Sequence, residues 1–250
     1  MYALHHQDCL QVMASLPDGS VDAIIADPPY LTTNLHFDQG AFNWSAWWVQ
    51  ARRVLKDNGV VVLFAADLFT LDLIQSNREW YRYRMVWAKS RASRFLDAAW
   101  RPLAGHEDLI VFAPNIKAAT YNAQKQQTSR NVGRVKRKPD VAQHYQQHRG
   151  GEYNDTGERH PTTVLDFASV PTVNCAHPTE KPVDLLRWLV STYTNEGDTV
   201  LDCFAGSGST GHACLVEGRR FIGCELHLEY YTAALTRLQA IAATPTLFAA

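Results

Sequence analysis

The chain predicts an α/β fold: a mostly parallel sheet doubly wound by helices on both faces. Three observations support this. Short apolar runs stop abruptly at turn residues, as Val21–Ala26 does at Asp27-Pro28-Pro29-Tyr30. Helical periodicity fills stretches between such runs, and Gly206-Ser207-Gly208 joins one run directly to a helix. This strand–helix alternation is that of βαβ units.

In order along the chain, residues 2–6 predict a short strand, a helix follows near Leu10–Leu16, and Pro17-Asp18-Gly19 turns the chain. Val21–Ala26 predicts a buried strand. Paired prolines cannot continue a ladder, so Asp27 and Tyr30 are left at a strand's carboxyl end. Trp44, Trp47, Trp48, Ala51 and Leu55 form one apolar stripe, suited to a core rather than to stacking on bases. That helix is expected to end near Asn58-Gly59, before a second buried strand at Val60–Phe64. Asp67 is placed as the cap of a helix through Ser76. Tyr81–Lys89 and Asp108–Phe112 predict two strands joined by an Arg-rich loop.

From Asn115 to about Arg159 the composition turns to Gln, Asn, Lys, Arg and Gly, and apolar periodicity vanishes. A compact fold rarely carries so long a polar stretch without a use for it, so a functional insertion is expected. The chain thus divides into 1–114, an insertion at 115–160, and 161–250. The last part holds His177-Pro178-Thr179-Glu180-Lys181-Pro182, a helix near Val183–Thr194, the strand Thr199–Phe204 and the glycine turn. A helix from Ser209 to Glu217, the strand Phe221–Glu225 and an amphipathic helix around His227–Ile241 complete it.

Composition narrows the function classes. The 250 residues carry 24 Lys+Arg against 25 Asp+Glu, with 46% apolar residues, which excludes a disordered or fibrous chain. No apolar run approaches the roughly 18 residues of a membrane span, and the start has neither a basic leader nor an apolar stretch. Five cysteines without a C-x-x-C fit a reduced cytosolic protein with small buried thiols. The balanced charge hides a division. Residues 78–101 hold seven Arg/Lys against two acids, and residues 115–150 hold eight against one. With interleaved aromatics and glutamines, this basic face over an acidic body points to nucleic acid.

Two constellations carry chemistry. Phe204-Ala205-Gly206-Ser207-Gly208-Ser209-Thr210-Gly211 links a strand to a helix, where glycines let a ligand approach the backbone and the helix start offers free N–H groups. Glu225 ends the next strand, where a carboxylate can accept from both hydroxyls of a ribose. Together these indicate a nucleoside cofactor. The spacing is also G-x-G-x-x-G, so a nicotinamide-dependent oxidoreductase has to be weighed. In a dinucleotide-binding domain that motif comes first, whereas here 39 residues follow Gly211. The remainder of the sheet has to come from the N-terminal half, which makes the fold a circularly permuted Rossmann-like one.

The second constellation is Asp27-Pro28-Pro29-Tyr30. An amine conjugated to a heteroaromatic ring is a poor nucleophile because its lone pair is delocalised. A carboxylate and a backbone carbonyl accepting its two N–H bonds favour a pyramidal nitrogen and the cation formed when it attacks. Asp27 and the Pro28 carbonyl can be those acceptors, the prolines hold the carbonyl in place, and Tyr30 offers a face to a base. An ordinary aspartate is a weak base, so attack precedes deprotonation.

Asp-Pro-Pro-Tyr early in the chain with Phe-Ala-Gly-Ser-Gly-Ser-Thr late in it resembles the beta-class, permuted DNA amino-methyltransferases, over most of the chain outside about 115–160. The resemblance implies a methyltransferase fold with S-adenosylmethionine as cofactor and direct in-line transfer to adenine N6. Asp before Pro-Pro is more like the adenine-N6 members than the cytosine-N4 ones, which remain the alternative. The resemblance implies that Asp27, Pro28, Pro29 and Tyr30 are catalytic. It places Asp8 and Cys9 at the cofactor's adenine, Glu225 at its ribose, and Phe204, Gly206, Gly208 and Ser209, with Asp27, Asp202 and His177, along the rest, with Lys181 near its carboxylate end. No metal is implied.

The partner so implied is double-stranded DNA whose target base is flipped into a pocket. The insertion then becomes the target-recognition region, with Arg130, Arg134, Lys136, Arg137 and Gln124, Gln126, Gln127, Gln143, Gln146 and Gln147 as candidate contacts. The resemblance sets Lys89, Arg91 and Arg94 in a loop beside the DNA. It also implies a homodimer and a cytoplasmic protein of prokaryotic or phage origin. His144 and His148 lack a third metal ligand, and Thr246-Leu247-Phe248 resembles a short clamp-docking tail.

Overall fold

β1 (Tyr2–His5) leads to α1 (Cys9–Ser15), which starts where the Asp8 carboxylate accepts the Leu10 amide at 2.9 Å. In this computed structural model, which describes residues 1–30, 42–128, 132–137, 151–171 and 180–243, β2 (Val21–Ala26) follows and ends at the double proline. α2 (Trp44–Val54) is capped by Asn43, whose side chain accepts the Ala46 amide. It stops at Val54, earlier than the periodicity suggests, because Leu55 turns extended and pairs with Val21. β3 (Leu55–Ala65) therefore begins upstream of Gly59, where a Cβ would lie 2.6 Å from the Leu55 side chain.

α3 (Asp67–Ser76) departs from expectation at its start. Ala66 holds the cap position without a side-chain bond, and Asp67 has φ 51°. The Asp67 carboxylate is taken instead by Arg94 at 2.7 Å and Arg101 at 3.5 Å. β4 (Tyr81–Ser93) and β5 (Ala104–Phe112) are longer than predicted and pair as far as Ser93 and Ala104. Lys89 and Arg91 consequently lie on a strand, not in a loop, and Arg94 opens a single 3₁₀ turn at Phe95–Asp97.

The chain divides into two compact units, Met1–Asn122 with Thr163–Ala250, and Ala123–Thr162. The described residues of the smaller unit form two antiparallel ladders. β6 (Gln126–Gln127) pairs with β9 (Glu158–Arg159), and β7 (Gly133–Arg137) pairs with β8 (Gly151–Asp155). The larger unit resumes with β10 (Val164–Phe167), α4 (Val183–Tyr193), β11 (Thr199–Asp202), α5 (Ser209–Val216), β12 (Arg220–Cys224) and α6 (Leu228–Ala243).

Among the described residues its sheet has eight strands in the order β1-β12-β11-β2-β3-β5-β4-β10. Every neighbouring pair is parallel except those of β5, which runs against both β3 and β4. Alternation along the strands divides the core between two faces. Ile24, Val61 and Leu63 pack with Val12, Met13, Trp47, Trp48, Phe69 and Leu73 of α1, α2 and α3. Ala23, Ile25, Val62 and Phe64 pack with Leu185, Leu189, Ala213, Cys214 and Leu238 of α4, α5 and α6. Three helices on each face make the sheet doubly wound.

Candidate active site

β2 and β11 are hydrogen-bonded neighbours, with Leu201 opposite Ile24, and they run the same way. Asp27 and Asp202 therefore leave the sheet at the same edge, side by side. The chain moves from β11 outward to β12 and from β2 outward to β3 in the opposite direction. A crevice opens at the carboxyl ends where such a sheet switches direction, the usual ligand position in wound α/β folds.

The β11 side supplies the glycine corner. Gly206 and Gly208 have φ values of 50° and 78°, which only glycine adopts without strain. A Cβ on Gly208 would also stand 3.0 Å from Ala234 of α6. The buried Asp202 carboxylate accepts the Phe204 amide at 2.9 Å, and desolvation pushes its pKa up to about 7. The Glu225 carboxylate, also buried, accepts the Gly206 amide at 2.9 Å and the His227 amide at 2.7 Å, so it is aimed before any ligand arrives. Glu225 donates its own amide to His5, at the end of β1, which brings it close to Asp8 and the buried Cys9. Burial raises the Cys224 thiol, and the neighbouring Cys9, Asp202, Asp8 and Glu225 add to it.

The β2 side supplies the acid–proline–aromatic corner. The Tyr30 hydroxyl donates to Asp27 Oδ1 at 2.8 Å, and its ring stacks on Phe69 at 5.2 Å. The other Asp27 oxygen is ion-paired with the buried ammonium of Lys181. Lys181 lies 3.4 Å from Glu107 Oε2, and Lys89 lies 3.2 Å from Glu107 Oε1. The order is acid, base, acid, base: Asp27, Lys181, Glu107, Lys89. Desolvation, aided by Glu107, raises the Asp27 pKa against the pull of Lys181 and Tyr30. Burial would raise Glu107 as well, yet the two ammonium groups hold it below the ordinary value. Lys181 is likewise raised, its two carboxylates outweighing the burial that would lower it.

Aromatic contacts bridge the corners. Phe204 meets Phe42 at 5.2 Å, Phe42 meets Trp44 at 4.9 Å, Trp44 meets Phe69 at 5.9 Å, and Phe69 stacks on Tyr30. On the far side of the glycine turn, Arg237 of α6 donates to Ser209 at 2.8 Å and to Glu180 at 2.6 Å.

The structure thus brings Asp8, Cys9, Asp27, Pro28, Pro29, Tyr30, Lys181, Asp202, Phe204, Gly206, Gly208, Ser209 and Glu225 to one edge of the sheet. The Lys181 ammonium is engaged by Asp27 and Glu107. Lys89 is nearly buried on Glu107. In the smaller unit, Arg134 and Lys136 on β7 share Glu152 of β8 and remain largely exposed, and Arg137 continues β7. Arg130, Gln143, Gln146, Gln147, His144, His148, His177 and Thr246-Leu247-Phe248 lie outside the described residues. Glu107, Phe42, Phe69 and Arg237 are parts that sequence reasoning missed. The acid pair Glu107-Asp108 ahead of an apolar run was the available signal for the first.

Among the described residues no His/Cys/Asp/Glu cluster could hold a metal ion, and no helix is long and apolar enough to cross a membrane.

Comparison with known proteins agrees with this geometry. A family model described as DNA methylase matches residues 21–236. The DNA adenine methyltransferase YhdJ of Escherichia coli is 30% identical over 93% of this chain and 81% of that protein. Among solved structures, the M1.HpyAVI–SAM complex superposes with a TM-score of 0.63 at 24% identity, covering 95% of this chain and 99% of that one. The cytosine-N4-specific PvuII DNA methyltransferase superposes with a TM-score of 0.68 at 16% identity, covering 96% and 90%.

Proposed function

The chain belongs to the DNA methylase family of the N6/N4 type, and we propose that it methylates adenine N6 in duplex DNA, with the base extruded from the stack during transfer. The observation that carries this reading is the adjacency of the two corners on β2 and β11: a nucleoside-cofactor turn beside an acid and carbonyl suited to an amine.

The methyl donor of the family is S-adenosylmethionine, which supplies an electrophilic methyl group on a sulfonium when bound. This chain's residues fit it. Gly206 and Gly208 leave the backbone open, and the prealigned Glu225 carboxylate suits a ribose diol. Asp8 and Cys9 suit the adenine edge, while Asp202, Phe204 and Ser209 line the path toward the methionine part.

The protein's own work is done at the first corner. Asp27 and the Pro28 carbonyl accept the two N–H bonds of the target amine and so favour its pyramidal, nucleophilic form. Pro29 keeps that carbonyl fixed, and Tyr30, backed by Phe69, gives the base a stacking face. Desolvation raises the Asp27 pKa, and the Lys181 ammonium pulls against it in favour of the carboxylate. After transfer the nitrogen bears a surplus proton, and Asp27, raised above an ordinary aspartate, is the acceptor within reach. The relative named as an adenine methyltransferase, and aspartate rather than serine before the prolines, support adenine over cytosine.

The unit Ala123–Thr162 is the proposed target-recognition region, with Arg134, Lys136 and Arg137 as its candidate contacts. A homodimer in the cytoplasm completes the reading, on the family resemblance. The test is methyl transfer from tritiated S-adenosylmethionine to unmodified plasmid DNA, followed by digestion to nucleosides. Label in N6-methyladenine is expected. Label in N4-methylcytosine would overturn the choice of base, and unlabelled DNA would overturn the activity.

A further inference from the structure

The tip of the β4–β5 hairpin is internally hydrogen-bonded and yet exposes its apolar side chains. Ser93 pairs with Ala104 at its base, and Lys89 Nζ donates to Ser93 Oγ at 3.1 Å. Between them the Asp97, Ala98, Trp100 and Arg101 amides return to the Arg94, Phe95 and Asp97 carbonyls at 3.0–3.2 Å. Phe95, Leu96 and Trp100 on this tip are each 75% exposed. Leu68, at the start of α3, is 74% exposed. Asp67 clamps the tip to α3 through Arg94 and Arg101. Asp67 and Arg94 are the two non-glycine residues with positive φ among those described, so backbone strain at both ends of the clamp is held by one ion pair. Strain and exposed aromatics in a loop that is internally hydrogen-bonded call for a ligand, because monomeric surfaces seldom leave such patches bare.

From this geometry we infer that Phe95 and Trp100 enter the DNA stack beside the target base and hold the duplex open. The inference rests on the proposed DNA methylation and adds a specific device to it. Two observations select DNA as the occupant. The hairpin end carries the exposed Arg91, and Arg94 and Arg101 stay 34% and 40% exposed beside Asp67, which suits a polyanion. It is also continuous with the site: Asp67 follows β3 at the same sheet edge as Asp27, and Phe69, two residues on, stacks on Tyr30. An aromatic ring presented on a preformed turn loses little freedom on insertion, and unstacked bases gain a face to rest on.

The decisive variant is Phe95→Ala with Trp100→Ala. Both side chains are exposed, so its melting temperature and its affinity for S-adenosylmethionine, by calorimetry, should match the parent protein. Its initial rate of methyl transfer to plasmid duplex should fall about tenfold or more, and its affinity for a mixed-sequence duplex should fall with an unchanged salt slope. A transfer rate within twofold of the parent would overturn the wedge while leaving the methylation reading intact. A parent dimer that the double variant converts to monomer in sedimentation would overturn it too, by giving the patch to a second copy. If the parent protein itself methylates no DNA, the underlying reading fails instead.

Discussion

Lys181 is ion-paired with Asp27, a residue 154 positions earlier in the chain, and this contact ties the segment before α4 to the end of β2. Because Glu107 sits on the other side of the same ammonium, Lys181 balances two carboxylates, and beyond burial each residue of the trio shifts the titration of the others.

Replacing Asp27 should separate chemistry from binding. Asp27→Asn keeps the shape of the corner, and Asp27→Ala removes it. Both should lower the transfer rate by at least about 10²-fold, with calorimetric affinity for S-adenosylmethionine changed no more than a few-fold. Near-normal turnover in Asp27→Asn would refute the acceptor role.

Lys181→Met leaves Asp27 with no ammonium and Glu107 with Lys89 alone in a largely buried site. A loss of about 3–5 kcal/mol in denaturant-measured stability is expected, and Glu107→Gln in the same chain should restore part of it. Without the ammonium, Asp27 stays protonated to higher pH. The acid limb of the rate–pH profile should therefore move upward, and an unmoved limb would contradict the pairing.

Asp202 links stability to pH. Its folded pKa of about 7 exceeds the 3.8 of an unperturbed carboxyl, so between those values the folded protein holds a proton the unfolded chain has released. This group's contribution accordingly declines as pH rises through that window, by at most about 1.4 kcal/mol per pH unit. Asp202→Asn should flatten the decline in urea titrations between pH 5 and 7.5. An unchanged slope would exclude Asp202 as its source.

Gly211 is required by packing. A Cβ there would stand 2.7 Å from Phe221 and 2.8 Å from Leu238, whereas nothing lies within 4 Å of one on Gly19. Gly211→Ala should cost about 1–3 kcal/mol from overpacking. Gly19→Ala, with φ 59°, should cost only its milder backbone strain, so thermal melts of the pair distinguish the two causes.

The parts legible in the sequence were those encoded locally. Val21–Ala26 ending at two prolines, and a strand running into Gly206 and Gly208, place both corners without any tertiary information. The network behind them was not legible, because it depends on register. Glu107 becomes part of the site only when β5 inserts antiparallel between β3 and β4, and the acid pair Glu107-Asp108 ahead of an apolar run announces no partner. Asp67 misled for a related reason. An aspartate before a helical run usually caps it, but here two arginines from the neighbouring hairpin compete for the carboxylate and win.

The pairing of β1 with β12, with His6 stacked on Tyr231 of α6 at 5.1 Å, sets the opening strand against the closing helix. Strand neighbours are thus fixed by pairing and not by sequence order, since the first strand of the chain completes the sheet beside the last one, and the crevice is indifferent to which half is translated first.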